Sequence, residues 1–391
     1  MYPTLKQYVM KIYSLRSIFT IILLITFVNG VYAQKEKAEK EIKEIMTDRA
    51  VVGLAVAVVK KGELIYTNSF GLKDIESNTA LSDNNLFRIA SISKSFSATS
   101  IMQLVEAGKI SLKDDFGKLV GFKVRNPKFP DRVITLKMVL SHTSSINDSE
   151  GYFNLDVINP DKNTNWAKCY NDYEPGKGYQ YCNLNFNMVG AVIEKYSGER
   201  FDNYVKNHVL NPLGLVGGYC VDSLDSKLFA TLYEFDAKSK KFTAAPGAYN
   251  PRREEIKNYT LGYSTPIFSP TGGMKISASD LAKYMTMHMY KGSYKGTKII
   301  SKKSAKIMQT KLSDEENYGL ALLQTTKLIE GKFMVGHTGS AYGLYSMMFF
   351  DPKEEFGIVV ITNGCNPVYT NNFNDALKRT VNVLYNNLIK N

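Results

Sequence analysis

Residues Val51 to Val59 form a nearly unbroken apolar run rich in β-branched side chains. A strand of that composition presents apolar groups on both faces, so it belongs in the middle of a sheet covered above and below. The fold must therefore be layered. Lys60-Lys61-Gly62 reads as a turn into a second strand, Glu63 to Phe70. Strand character returns late, at Tyr318 to Gln324, Phe333 to Gly336, Leu344 to Phe350 and Phe356 to Thr362, with the turn signal Asp351-Pro352-Lys353 between the last two. Helical spacing marks Lys35 to Asp48 through Ala38, Ile42, Ile45 and Met46, and a closing helix from about Asn374 to Ile389. Between the early and late strands lie further helical patterns, Thr135 to Leu140, Leu184 to Tyr196, Phe201 to Leu210, Ser279 to Tyr290 and Ser301 to Thr310, and the turn-rich stretch Asn147 to Gly178. The expected class is α+β: one antiparallel sheet built from both ends of the chain, flanked by the terminal helices, with a mostly helical insertion. The expected division is a leader over residues 1–33 and a domain over 34–391, its sheet part about 34–90 and 315–391 and its helical part about 91–314.

The leader assignment rests on Lys6, Lys11 and Arg16, the apolar run Ile18 to Val28, and Val31-Tyr32-Ala33 before Gln34. Such a run is too short for a bilayer, which needs about 20 residues. Export is expected, periplasmic or secreted, with cleavage after Ala33 and no stable membrane span afterwards; an uncleaved anchor is the runner-up. Losing the leader removes three basic and no acidic residues and takes the formal charge from +12 to +9. The basic residues are scattered in ones and twos, which argues against a nucleic-acid partner. Cys169, Cys182, Cys220 and Cys365 lack metal-type spacing, and His142, His208, His288 and His337 are too dispersed for a zinc site. A Cys169–Cys182 bridge could brace the intervening loop, but buried free thiols are favoured. No glycine-rich phosphate loop is present, and no metal or cofactor is expected.

Chemistry concentrates at Ser91-Ile92-Ser93-Lys94, the one Ser-x-x-Lys of the chain. Residues three apart share a helix face, so the Lys94 amine can reach the Ser91 oxygen. A serine at a helix start also lies near unpaired N–H groups able to stabilise an oxyanion. After Ser91 the helix runs to Gly108, a natural C′ glycine.

The company this motif keeps resembles the serine β-lactamase and penicillin-binding superfamily, in its class C β-lactamase and D-alanyl-D-alanine carboxypeptidase branch. Phe87-Arg88-Ile89-Ala90-Ser91-Ile92-Ser93-Lys94 resembles the first motif. Tyr181-Cys182-Asn183, after Pro175-Gly176 and opening a helix, resembles the Tyr-x-Asn motif, and Gly336-His337-Thr338-Gly339-Ser340 the third. Leu140-Ser141-His142-Thr143-Ser144, Asn211-Pro212-Leu213-Gly214-Leu215 and Gly272-Gly273-Met274 with Ser279-Asp280-Leu281 support it in family order. Tyr-x-Asn occurs five times, from Tyr66, Tyr152, Tyr181, Tyr369 and Tyr385, and only Tyr181 has this setting. His142 reads as structural, at a helix-to-loop corner.

The resemblance implies a β-lactamase/transpeptidase-like fold and a serine hydrolase that forms an acyl-enzyme on Ser91. Its base is Lys94 or Tyr181, and the sequence leaves the two open: lysine, ordinarily near 10.4, and tyrosine, near 10, both need a lowered pKa to serve at neutrality. Asn183 would hold Lys94 and bind the substrate amide. Ser91 and Ser340 would supply oxyanion N–H groups, with His337, Thr338 and Gly339 lining the site. Three departures stand out: His337 replaces the lysine of the β-lactamases of this branch, Cys182 replaces the usual Ser or Ala, and Ser145 replaces a frequent Gly. His337, ordinarily near 6.5, would be mostly neutral at pH 7 and could hydrogen-bond Tyr181 or substrate. Expected substrates are amides or esters: a D-amino-acid peptide, peptidoglycan-derived ones included, a small ester or, weakly, a β-lactam. The alternative is a non-catalytic penicillin-binding-like receptor or pseudoenzyme.

Overall fold

A computed structural model describes residues 33–390, and the expected leader up to Tyr32 lies outside the described residues. Helix α1 spans residues 33–48. Strands β1 (Gly53–Lys60) and β2 (Glu63–Asp74) form the early hairpin, with the short β3 (Thr79–Ala80) beside it. β4 (Phe87–Arg88) leads to helix α2 (Ser93–Glu106); helix α3 (Asn183–Ser197), β5 (Gly217–Gly218), β6 (Lys275–Ile276) and helix α4 (Ala278–Met289) follow in the insertion. The late strands are β7 (Leu323–Thr325), β8 (Met334–Ala341), β9 (Leu344–Asp351) and β10 (Phe356–Thr362), and helix α5 (Asp375–Leu384) comes last.

Seven strands make one sheet in the order β7-β8-β9-β10-β1-β2-β3, every neighbour antiparallel. β1 is central, as its composition demands. Leu54, Val56 and Val58 face an outer cluster with Ile42 and Ile45 of α1 and Leu377, Val381 and Leu384 of α5. Ala55, Ala57 and Val59 face an inner cluster shared with Phe96 of α2 and Leu281 and Met285 of α4. Each buried Val or Leu contributes about 1.5–3 kcal/mol by leaving water, so a charge at any position from Leu54 to Val59 would be disruptive. Small side chains on its inner face let α4 lie close. The contact is tight at Gly357 of β10, where a Cβ would come within 2.4 Å of the Met285 Cε.

One sequence expectation needs correction. The apolar run Tyr318 to Gln324 is not a strand throughout: only Leu323–Thr325 pairs with β8. The chain doubles back ahead of it, with Ala321 at φ 57° and Tyr318 opposite Leu323, and Leu320, Ala321 and Leu322 fill the inner core. Their hydrophobicity reports burial rather than strand. The closing helix has its expected extent, α-helical to Leu384 and finishing in a π-turn over Tyr385–Ile389.

Candidate active site

Ser91 is not the first residue of α2. It sits in a 3₁₀ turn, Ala90–Ile92, ahead of the helix start at Ser93. Ala90 adopts φ 49°, a conformation that costs an L-residue energy and persists only where surroundings enforce it. Those surroundings are visible on both sides. Ile89 donates its N–H to the Met274 carbonyl at 2.9 Å, and its carbonyl accepts from the Ser346 Oγ of β9 at 3.0 Å. At Gly339 of β8 a Cβ would come within 2.3 Å of the same Ile89 carbonyl, so only glycine permits the strand to lie against the Ser91 turn.

Lys94, the second residue of α2 and one turn on from Ser91, has no solvent exposure. Its Nζ donates to Ser91 Oγ at 3.1 Å, Asn183 Oδ1 at 2.9 Å and the Thr271 carbonyl at 3.0 Å. The Tyr181 ring lies 4.6 Å from the amine, centroid to nitrogen. Burial lowers the lysine to about 7, against an opposing pull from the Asp148 carboxylate. Thr271 is brought in by the Thr265–Gly273 loop, which packs on α3 at Gly190, where a Cβ would meet Pro270 at 2.4 Å.

Asn183 is the first residue of α3, and its N-cap, Cys182, provides no side-chain hydrogen bond to the helix. Cysteine is a poor cap, so the free N–H groups need an acceptor from elsewhere. Asp148 supplies it across 35 residues: Oδ2 accepts from Asn183 N at 2.8 Å and from its Nδ2 at 2.9 Å, while Oδ1 accepts from Leu184 N at 2.9 Å and the Cys182 thiol at 3.2 Å. With Nδ2 committed to Asp148, the Asn183 Oδ1 faces Lys94 and the Thr271 hydroxyl, 2.8 Å away. All four cysteines are free and buried, so the Cys169–Cys182 bridge is not formed.

The Tyr181 hydroxyl is buried without a hydrogen-bond partner among the described residues. Burial pushes its pKa above the ordinary phenol value, outweighing the smaller downward pull of Ser91. His142, at φ 60°, has its ring 4.3 Å from that of Tyr181 and accepts the Cys182 N–H on Nδ1 at 3.1 Å, which fits the expected corner role.

His337 behaves differently from the sequence expectation. Its Nδ1 lies 2.5 Å from the Thr338 carbonyl and can only donate there, so Nε2 accepts from the Tyr318 hydroxyl at 2.8 Å. Both nitrogens are occupied, and neither reaches Tyr181, whose ring centre is 6.3 Å away. Burial first, and Lys94 second, lower His337 to about 3, so it is neutral over the physiological range. Along β8, His337 pairs with Met348 of the inner cluster, whereas Thr338 pairs with Met347 of the outer one and Ser340 with Tyr345, packed against it. What Thr338 and Ser340 can offer Ser91 is main chain.

The structure thus brings Ser91, Lys94, Tyr181 and Asn183 together, with His337 and Gly339 behind and beside them. Sequence reasoning missed Asp148, Thr271 and Tyr318. Only Asp148 left a readable trace, the uncapped start of α3. Among the described residues, no three His, Cys, Asp or Glu side chains are placed to hold a metal. No described helix is long and apolar enough to cross a membrane.

Known proteins resemble this chain in sequence and fold to differing extents. Protein flp of Staphylococcus aureus strain N315 is 22% identical over 350 residues, covering 84% of this chain and 63% of flp. The chain therefore spans less than two thirds of that relative's length. Among solved structures, the octameric penicillin-binding protein homologue from Pyrococcus abyssi superposes with a TM-score of 0.70 at 26% identity, covering 88% of this chain and 75% of that one. The D-amino acid amidase from Ochrobactrum anthropi SV3 gives 0.67 at 19% identity over 89% and 99% of the two chains, a likeness of fold. Since the Beta-lactamase family matches residues 38–380, nearly the whole of the sheet and helical layers just described, the chain belongs to that family.

Proposed function

We propose that this protein is a serine hydrolase that cleaves an amide or ester through an acyl-enzyme on Ser91, with Lys94 as general base. One observation carries the choice of base. Two of the three partners of Lys94, the Asn183 Oδ1 and the Thr271 carbonyl, can only accept hydrogen bonds. A neutral amine spends its two protons on them and is left with its lone pair toward Ser91. A pKa lowered to about 7 makes that neutral form abundant, while Tyr181 is pushed the other way and stays a phenol.

In the proposed cycle the Ser91 oxygen attacks the substrate carbonyl carbon and its proton passes to Lys94. The carbonyl oxygen becomes an oxyanion facing the Ser91 and Ser340 N–H groups. The Tyr181 hydroxyl, which lacks a partner, relays the proton from Lys94 to the departing nitrogen or oxygen, the bond to that atom breaks, and Ser91 is left acylated. Water then attacks the acyl carbon, gives a proton to Lys94, and Ser91 is released with its proton restored.

The substrate preference is argued from the neutral, occupied His337: it offers no cation and no free donor for a carboxylate, so small esters and D-amino-acid amides, which carry none, fit better than β-lactams, and D-peptides lie between. That an amidase for D-amino acids shares the fold supports the preference. Export with cleavage after Ala33, and the two-part division near residues 90 and 315, belong to the same proposal and rest on sequence pattern. The test is intact-mass analysis after a fluorophosphonate, with turnover of nitrocefin, a short-chain aryl ester and a D-alanyl-D-alanine peptide. A single adduct on Ser91, absent in Ser91→Ala, and ester or D-peptide hydrolysis exceeding that of nitrocefin are expected. Labelling that survives Ser91→Ala overturns the assignment; labelling without turnover of any substrate favours a receptor.

A further inference from the structure

We propose that Asp148 is a positioning residue of this hydrolase, holding Asn183 in the one amide orientation that aims the Lys94 amine at Ser91. The role rests on the Ser91 and Lys94 assignments above.

An asparagine amide has two ends of similar shape and opposite chemistry. If the Asn183 group rotated by half a turn, its NH₂ would face the Lys94 amine and the Thr271 hydroxyl, and it would compete for the amine lone pair that Lys94 needs to take the Ser91 proton. The hydrogen bond from Nδ2 to Asp148 Oδ2 at 2.9 Å excludes that state, because a carboxylate can only accept. The same oxygen takes the Asn183 N–H at 2.8 Å, and the other takes the Leu184 N–H at 2.9 Å, so the carboxylate is locked to the first turn of α3. Four donors converge on two oxygens, and none of the four belongs to a cation. Asp148 forms no ion pair within 4.0 Å among the described residues, although it raises the basicity of Lys94 through space. A carboxylate needed only as a cap could be replaced by a capping side chain at position 182; one needed to orient an amide could not.

The negative charge has a second consequence. Burial disfavours the protonated amine, and Asp148 opposes it, so removing the charge should lower the pKa of Lys94 further. The other titratable groups facing the amine are Cys182, Tyr181, His142 and His337. Burial keeps the Cys182 thiol and the Tyr181 phenol protonated and both histidines neutral, so none of them replaces the lost charge near pH 7.

The experiment measures Ser91 labelling by a fluorophosphonate from pH 5 to 9, as maximal rate and half-saturating concentration, in wild type, Asp148→Asn and Asp148→Glu. In Asp148→Asn the maximal rate should fall about 10²-fold, the effect of a reacting group displaced by about an ångström. The half-saturating concentration should change less than about threefold, and the acid limb should move down by about one pH unit. Asp148→Glu, which keeps the charge, should hold the limb near its wild-type position and recover part of the rate. If Asp148→Asn fails to fold, the same measurements are made with Cys182→Ser added to restore a local cap. Full recovery of rate by that cap alone, or a fall in rate with an unmoved acid limb, overturns the proposal. Wild-type protein that is not labelled on Ser91 overturns the hydrolase assignment instead.

Discussion

Two lysines lie buried among the described residues, and their surroundings differ. Lys94 has three hydrogen-bond acceptors and an aspartate within electrostatic reach, and lies near 7. Lys275, on β6, donates to the Tyr219 carbonyl at 2.6 Å and faces two further cations, Arg88 and Arg252, whose effect Cys220 and Asp202 oppose. Burial, reinforced by these cations, drives it well below the ordinary lysine range. Burial lowers both lysines and a carboxylate opposes it at both, so what sets Lys94 apart is its set of hydrogen-bond partners, the Ser91 hydroxyl among them. Lys275 also has no hydroxyl as a hydrogen-bond partner. It braces the short sheet that carries β4 toward Ser91, as the cross-strand partner of Arg88.

The contrast breaks most directly on paired substitutions. Lys94→Met should lower kcat/KM for an aryl ester by about 10³-fold, within the range for losing a general base. Lys275→Met should leave it within about threefold of wild type, and a comparable loss there would erase the distinction.

The pH profile tests the same difference without mutation. Only the neutral amine accepts a proton from Ser91, so acylation should rise with pH to a plateau, with a midpoint near 7. Well below the midpoint it should fall about tenfold per pH unit as the amine is protonated. A profile with no inflection near 7, still rising above the ordinary phenol range, would return the base role to Tyr181.

Stability sharpens the comparison further. A lysine that is neutral when folded and charged when unfolded makes the unfolded state bind more protons, so stability rises with pH between the folded and unfolded values. The slope is about 1.4 kcal/mol per pH unit for each such group. For Lys94 the window runs from about 7 to about 10, and Lys275, which burial holds well below the ordinary lysine range, contributes with the same sign. Urea unfolding between pH 5 and 9 should show Lys94→Met losing slope only above about 7, and an unchanged slope there would mean that the amine stays charged in the folded protein.

The smallest effect concerns the neutral histidine beside Lys94. Tyr318→Phe leaves the His337 Nε2 buried without a donor, a cost of about 1–3 kcal/mol in stability. Burial keeps His337 neutral, so the acid limb should stay near 7. A shifted limb would show that Tyr318 tunes the lysine.

Much of this was legible beforehand. The composition of Val51 to Val59 required a strand covered on both faces, and β1 is covered on both. The Ser-x-x-Lys spacing put Ser91 and Lys94 on one side of a turn, and the Pro-Gly setting separated Tyr181 from four other Tyr-x-Asn matches. Errors arose where apolar character came from burial in an irregular segment, as at Leu320 to Leu322, or where a side chain had several candidate partners, as at His337.

The sequence by itself determined the layers and the order of the elements, which follow from periodicity and spacing, properties of neighbours along the chain, and its motifs carried the resemblance to the family. The proposed choice of Lys94 over Tyr181, the orientation of Asn183 and the sequestration of His337 rest on the tertiary structure alone. Each depends on contacts between segments distant in sequence: Thr271 with Lys94, Asp148 with Asn183, and the Tyr318 turn with β8. A proton's position is set by which acceptors surround the donor and how far water is excluded, and neither exists until the chain has folded.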